Sequence, residues 1–300
     1  MTNRQLIKVI LRNLPYFHRF LASRTGGTNS ALYCYSVWMK HLNQLYENNI
    51  AIDLKTVAEL GPGDSIGTGL TALLSGAEKY LALDVVDFSN VARDLEIFEE
   101  LLILFKSKAQ PGYGIKYPTH LFNDSHLEMA LDETRIERIR QSIISNSNND
   151  MIIKFIPWIN KDIAQINSVD FIFSQAVMEH VENISETYKQ MSFWLKPGGV
   201  ISHQIDYWSH DTAKKWNGHW SYSDELWKII KGNYSSLFIN RHPHSDHIIE
   251  MQKHCFEIVS EKKSLSYSGL SKKELAKKFK NMTDEDLLTT SALIQARKVV

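Results

Sequence analysis

A glycine-rich segment between residues 57 and 69 has the residue types that could cradle a nucleotide-like ligand. It reads Val-Ala-Glu-Leu-Gly-Pro-Gly-Asp-Ser-Ile-Gly-Thr-Gly, which predicts a buried strand, a turn and the start of a helix. Glycine tolerates positive φ and puts no side chain between backbone and ligand. The first N–H groups of the following helix add hydrogen-bond donors. Such turns also join strands to helices for purely structural reasons, so the neighbouring residues decide the interpretation.

Two carboxylates accompany this turn. Glu59 lies two residues before Gly61, and Asp84 lies near the end of the next apolar segment, residues 80–86. In an open parallel sheet, ligands bind beyond the carboxyl ends of the strands. A carboxylate at the end of the second strand could therefore accept hydrogen bonds from both hydroxyls of a ribose. A single acid at a strand end is common, but two in these positions favour a binding site.

The elements that must position these residues alternate along the chain. We predict strands at residues 56–60, 80–86, 151–156, 169–173, 200–205, 256–261 and about 292–297, and helices at about 31–46, 70–74, 94–106, 132–144, 185–195 and 245–253. The strand, glycine turn, helix and strand that begin at residue 56 form a βαβ unit, which implies a parallel sheet. The Lys-Pro-Gly-Gly sequence at 196–199 is expected to end a helix and turn the chain.

The domain organisation is predicted from the same alternation. Residues 1–55 are expected to form a helical N-terminal cap, which opens with an amphipathic helix between Leu6 and Leu14. Residues 56–300 are expected to form the main domain. Two segments, at about 91–150 and 207–240, are interpreted as insertions.

Composition and charge narrow the function classes. Lysine and arginine together number 34, as do the acidic residues, so the formal net charge is zero. A dedicated nucleic-acid binder usually has an excess of basic residues, so no nucleic-acid partner is expected for this chain. Cys34 and Cys255 lack metal-type spacing, which favours a reducing, cytoplasmic setting. No membrane span is expected, because about 18 or more successive apolar residues would be needed.

Four segments resemble the class I S-adenosylmethionine-dependent methyltransferases. Residues 59–63 (Glu-Leu-Gly-Pro-Gly) are similar to the first motif, and 81–84 (Leu-Ala-Leu-Asp) to the second. Residues 169–181 are similar to the fourth strand and its following turn, and 195–199 to the turn before the fifth strand. The resemblance spans about residues 56–206. It implies an α/β, Rossmann-like methyltransferase sheet, mostly parallel with an antiparallel last strand and helices on both faces, and S-adenosylmethionine as the cofactor.

The resemblance also implies which residues hold the cofactor. Gly61 and Gly63 would let the backbone approach its methionine part, Asp84 would hold the ribose and Val85 would touch the adenine. Ser65 stands where the family usually has a third small residue, and serine is small enough for that place. The other candidates are Glu59, Trp158, Ser174 and Gln175.

An acceptor hydroxyl would require a base to remove its proton. His203, Asp206 and His210 come together at the end of the fifth strand, on the expected cofactor side, and are the candidate catalytic residues. Asp206 could orient or ionically support either histidine. In the alternative interpretation, His203 is a satisfied strand residue and His210 an ordinary loop residue. The Glu179-His180 pair recurs in the resembled family and is interpreted as a packing and helix-start feature, with a catalytic role for His180 as the alternative.

The remaining candidates concern the acceptor. Aromatic residues between Tyr207 and Trp227 could stack on a sugar or another ring, although they are also common core residues. No metal site is expected, because His242, His244 and His247 have neither cysteines nor an ordered acid partner nearby. The favoured function is methyl transfer to oxygen or nitrogen of a small-molecule or sugar-like acceptor, such as a glycan precursor. A protein or RNA methyltransferase and a non-catalytic cofactor-binding subunit remain the alternatives, and the oligomeric state is open.

Overall fold

The computed structural model describes residues 27–145, 151–156, 158, 166–231 and 239–299. The amphipathic helix predicted between Leu6 and Leu14 lies outside these ranges. Within them, no helix is both long and apolar enough to cross a membrane.

A seven-stranded sheet organises the described residues, in the order β3-β2-β1-β4-β5-β7-β6. The strands are β1 (Thr56–Leu60), β2 (Lys79–Leu83), β3 (Ile152–Phe155), β4 (Val169–Gln175), β5 (Leu195–Asp206), β6 (Phe256–Leu265) and β7 (Thr289–Lys298). Neighbours among β1 to β5 pair in parallel, and β7 is antiparallel to both β5 and β6. The predicted Rossmann-like methyltransferase sheet is confirmed. The strand order reverses at β1, between β2 and β4, and such a reversal opens a crevice for ligands at the carboxyl edge.

Helices flank this sheet. They are α1 (Ala31–Glu47), α2 (Gly67–Leu74), α3 (Val91–Lys106), α4 (Asp124–Ala130), α5 (Glu133–Ser145), α6 (Ile184–Trp194), α7 (Asp224–Lys231), α8 (His244–Lys253) and α9 (Asp284–Leu288). Short side chains cap several of them, since Ser30, Asn90, Asn123 and Asn183 each accept a hydrogen bond from the first turn of the helix that follows. These caps fix where the helices begin.

Two hydrophobic cores lie on opposite faces of the sheet. Along β4, Phe171 and Phe173 pack against Trp38 of α1, with ring centroids 5.9 and 5.3 Å from the indole. Ile172, between them, joins the other core with Tyr188 of α6. Successive strand residues point to opposite faces, so one strand serves both cores. Helix α1, predicted within the N-terminal cap, thereby packs directly on the sheet, while the division of the chain at residue 55 stays a prediction.

Two boundaries differ from the sequence prediction. Residues 196–199 do not form a separate turn, because α6 ends at Trp194 and β5 already begins at Leu195, which pairs with Val169 before a register shift. Strand β2 ends at Leu83 and not at residue 86. The cause is local. The Asp84 carboxylate accepts hydrogen bonds from the two backbone amides that follow it, so these amides are not available to pair with a neighbouring strand.

Candidate active site

The glycine turn lies at the carboxyl end of β1. Gly61 and Gly63 have φ angles of +66° and +77°, a region that favours glycine. The Gly61 N–H donates to the Leu83 carbonyl at 2.7 Å, which ties the turn to β2. A Cβ atom on Gly61 would lie 2.6 Å from Cγ2 of Val177. Both backbone conformation and space therefore require glycine at position 61.

Asp84 sits beside this turn. Its carboxylate accepts hydrogen bonds from the N–H of Gly63 at 3.4 Å and of Val85 at 2.7 Å. Burial raises the pKa of Asp84, and those hydrogen bonds oppose the shift. The Val85 side chain is 68% exposed, and the Trp158 N–H donates to the Asp84 carbonyl at 2.6 Å. The structure thus brings four predicted cofactor residues to one edge of the sheet.

Glu59 and Ser65, also predicted to contact the cofactor, are engaged with the protein. The Glu59 carboxylate is 2% exposed and accepts a hydrogen bond from the Tyr80 hydroxyl at 2.6 Å. Burial raises the pKa of Glu59 to about 8. The Ser65 N–H donates to Oγ1 of Thr28 at 3.0 Å, and its hydroxyl bonds the Thr28 carbonyl. Both side chains support the turn from behind.

Ser174 and His203 face the core and not the open edge. The Ser174 hydroxyl and Nδ1 of His203 lie 2.7 Å apart, and both residues are fully buried. Burial lowers the pKa of His203 to about 3, so its imidazole is neutral at physiological pH. His203, predicted as a base, therefore has the position of a buried strand residue, because its place in β5 points it at Tyr188.

Asp206 and His210 do form a pair. Nε2 of His210 lies 3.2 Å from Oδ2 of Asp206, and both side chains are partly exposed. The Trp208 N–H donates to the other carboxylate oxygen at 2.9 Å. The chain folds back after β5 with positive φ at His210 and Asp211, which turns the imidazole towards the strand end.

Glu179 and His180 join this pair from the neighbouring strand. They lie on a 3₁₀ turn, Met178–His180, that follows β4. The rings of His180 and His210 have centroids 5.1 Å apart. Sequence reasoning interpreted Glu179-His180 as a packing feature and did not connect it with His210. A signal was present, because both segments follow the carboxyl ends of adjacent parallel strands.

A cleft of about 640 Å³ lies beyond β4 and β5. Gln175, Gln204, Asp206 and Trp208 line its sheet side, and α1 contributes Lys40 among others. The volume is that of a typical small-molecule site. Of the predicted cofactor residues, Gln175 faces this cleft.

Most of the aromatic residues between 207 and 227 are core residues. Tyr207, Trp216, Trp220 and Trp227 are buried. Trp208 is half exposed at the cleft and lies 6.3 Å from the Trp216 ring. Trp208 is therefore the tryptophan of this segment that is placed to stack on an acceptor.

Comparison with known protein families gives a match over part of the chain. Residues 112–202 match a family model described as a methyltransferase domain, a range that includes β3, β4, α6 and part of β5. By this match the chain contains a methyltransferase domain. The glycine turn, the carboxylate of Asp84 and the exposed Val85 are compatible with S-adenosylmethionine, the cofactor that the sequence resemblance implies. No curated protein sequence matches the methyltransferase.

Several solved structures are similar to this chain at low identity. Phosphoethanolamine N-methyltransferase 2 of Haemonchus contortus, in complex with S-adenosylmethionine, has 12% identity and a TM-score of 0.47, with 94% of this chain and 60% of that chain covered. A methyltransferase of Methanosarcina mazei has 14% identity and a TM-score of 0.43, covering 85% and 97%. One of Mesorhizobium loti has 10% identity and a TM-score of 0.42, covering 87% and 100%.

Proposed function

We propose that this methyltransferase transfers a methyl group to oxygen or nitrogen of a small-molecule acceptor bound in the cleft beyond β4 and β5. The observation that supports this most is the Asp206–His210 pair, at the same sheet edge as the glycine turn and Asp84. The cofactor's sulfonium supplies an electrophilic methyl group, so the protein's main task is to align the acceptor with it.

In this proposal the cofactor lies against the turn after β1. The backbone at Gly61 and Gly63 faces its methionine part, and the Asp84 carboxylate accepts hydrogen bonds from the ribose hydroxyls. Those bonds would replace the weak contact that the carboxylate makes with the Gly63 N–H at 3.4 Å. Val85 and Trp158 then flank the adenine, because Val85 comes two residues after β2 and the Trp158 N–H is bonded to the Asp84 carbonyl.

The cleft favours a polar acceptor. Gln175 and Gln204 present amides there, and Nζ of Lys40 donates to Oε1 of Gln204 at 2.5 Å. Burial and the neighbouring charge of Lys262 lower the pKa of Lys40 to about 8. An oxygen-rich or anionic acceptor would offset the neighbouring positive charges of Lys40 and Lys262. Trp208 adds an exposed ring that could stack on a sugar.

A proton that leaves an acceptor hydroxyl passes to the Asp206–His210 pair. Both side chains are partly exposed, and Asp206 lines the cleft. His203 has no part in this step, because its imidazole is buried against Ser174.

Calorimetric titration with S-adenosylmethionine tests the cofactor site. We expect Asp84→Ala to weaken binding by about tenfold or more, the loss of one or two hydrogen bonds to a charged group. Asp87→Ala is the matched control, since that exposed carboxylate bonds to Ser89 and not to the glycine turn. Equal affinity in wild type and Asp84→Ala would contradict the assignment.

Methyl transfer to a panel of hydroxylated and amine metabolites tests the acceptor side. We expect turnover of at least one metabolite, reduced by a hundredfold or so in His210→Ala and unchanged in affinity for the cofactor. If peptides or RNA are methylated and no metabolite is, the proposed acceptor class is wrong.

A further inference from the structure

We propose that Glu179, His180 and His210 bind a divalent transition-metal ion at the mouth of the acceptor cleft. Each of the three residues offers one ligand atom, and these atoms lie within 4.8 Å of one another. Two ligands of one ion, each at about 2.0–2.2 Å, lie at most about 4.4 Å apart, so the three side chains would move together by a few tenths of an ångström when the ion binds. The site joins the turn after β4 to the loop after β5.

The carboxylate of Glu179 is the strongest indication of a ligand. The residue is 4% exposed, and among the described residues neither of its carboxylate oxygens has a well-formed hydrogen bond, although the backbone N–H groups of Glu179 and Asp206 interact with it weakly. The charged group that acts on it is another carboxylate, that of Asp206. A buried carboxylate with no counter-charge is costly, and a bound cation would remove that cost.

The turn that carries two of the ligands is held rigidly. The Asn240 N–H donates to the Glu179 carbonyl at 2.8 Å. Its side-chain amide donates to the carbonyls of Met178 at 2.7 Å and Val181 at 2.9 Å. These three hydrogen bonds clamp the turn from both ends, so the ligands would not have to be ordered when the ion binds.

The third ligand has the support that metal-bound histidines usually have. Such histidines donate their other ring N–H to a carboxylate or carbonyl, which fixes the tautomer and orientation of the ring. Asp206 provides a carboxylate 3.2 Å from Nε2 of His210. Asp206 is then a positioning residue for the ion as well as a wall of the cleft.

The ligand set indicates the class of ion. Two imidazoles and one carboxylate suit Zn²⁺, Fe²⁺, Co²⁺ or Mn²⁺ better than Mg²⁺, which prefers oxygen. Three protein ligands leave positions open for an acceptor. The use of the ion rests on the proposed function: an acceptor with two adjacent oxygens would chelate it, and its hydroxyl would lose its proton more readily. Asp206 would take that proton as the O–CH₃ bond forms and the S–CH₃ bond of S-adenosylmethionine breaks, which leaves S-adenosylhomocysteine.

Titration of the tag-free, metal-stripped full chain with Co²⁺, followed by visible absorbance, tests the site. We expect one equivalent to bind with a ligand-field band. Glu179→Gln, nearly isosteric, and His210→Ala, at a partly exposed position, should each weaken binding at least tenfold. Asp206→Asn should weaken it by about 10–100-fold, with far-UV circular dichroism confirming the fold of each variant.

Asp246→Asn provides the matched control. Nδ1 of His242 and Oδ2 of Asp246 lie 2.7 Å apart, four residues from each other like the Asp206–His210 pair but outside the three-ligand cluster. This variant should bind Co²⁺ like the wild type. Absence of binding in the wild type, or equal binding by wild type, Glu179→Gln and His210→Ala, would overturn the proposal.

Cofactor calorimetry separates this inference from the proposed function. If S-adenosylmethionine binds and a metabolite is methylated while Co²⁺ does not bind, the metal site alone is wrong. If Co²⁺ binds as expected and S-adenosylmethionine does not, the proposed function fails and the metal site stands.

Discussion

Replacement of Gly61 by alanine would test how tightly the turn after β4 is packed against the glycine turn. At φ +66° an alanine costs roughly 1–2 kcal/mol. Its Cβ would also lie 2.6 Å from Cγ2 of Val177, and overpacking of this kind costs roughly 1–3 kcal/mol. We therefore expect Gly61→Ala to lower the free energy of unfolding by roughly 2–5 kcal/mol.

Two further variants separate the two costs. Gly114 has φ +71° and no atom within 4 Å of an added Cβ, so Gly114→Ala should lose only the roughly 1–2 kcal/mol of backbone strain. Val177→Ala removes the atoms that the new Cβ would meet. In the Gly61→Ala background it should therefore recover roughly 1–3 kcal/mol, whereas alone it should cost about 1 kcal/mol.

Urea unfolding followed by far-UV circular dichroism measures all four variants, and calorimetry measures their affinity for S-adenosylmethionine. The affinity should fall in Gly61→Ala and recover in part in the double variant, because the same displacement moves the cofactor cradle. If Gly61→Ala costs no more than Gly114→Ala, or if Val177→Ala does not relieve it, then the close approach of the two turns is not a constraint and the reasoning is wrong.

Two more predictions follow from buried titratable groups. Burial raises the pKa of Glu59 from 4.5 to about 8, so the stability that its proton contributes is complete below pH 4.5 and is lost as the pH rises to about 8. Relative to Glu59→Gln, the free energy of unfolding of the wild type, measured with urea, should fall by about 4 kcal/mol over that pH range. Parallel dependences of the free energy of unfolding on pH in the two proteins would contradict this. Burial also raises the pKa of the Cys34 thiol to about 12, while Cys255 is exposed. A thiol reagent should therefore modify Cys255 quickly in the native protein and Cys34 only after unfolding. Rapid modification of both cysteines in the native protein would refute the burial of Cys34.

Much of the fold could be predicted from the sequence because it follows from local patterns. The strand at 56–60, the glycine turn and the helix after it have the predicted order, and the parallel sheet follows from it. The boundaries that were missed depend on contacts made elsewhere. Strand β2 stops early because Asp84 captures the next amides, and β5 starts early because Leu195 finds a partner in Val169.

The site divides in the same way. The positions of Asp84 and the glycines were predictable, because strand ends and positive φ angles depend on short segments of the chain. The inward direction of His203 was not, because successive strand residues alternate between faces and a shift of one residue exchanges them. Trp216 and Trp220 are of a residue type that could also form a binding surface, but the structure shows that both are buried in the core.

The sequence by itself determined the βαβ order, the glycine turn at Gly61 and Gly63, and the position of the Asp84 carboxylate beside it, because each depends on the conformational preferences of a few adjacent residues. Only the tertiary structure decided that Glu179 and His180 meet His210. This contact requires β4 and β5 to be neighbouring strands and the chain after β5 to fold back. Contacts between distant segments determine both, and no local pattern specifies them.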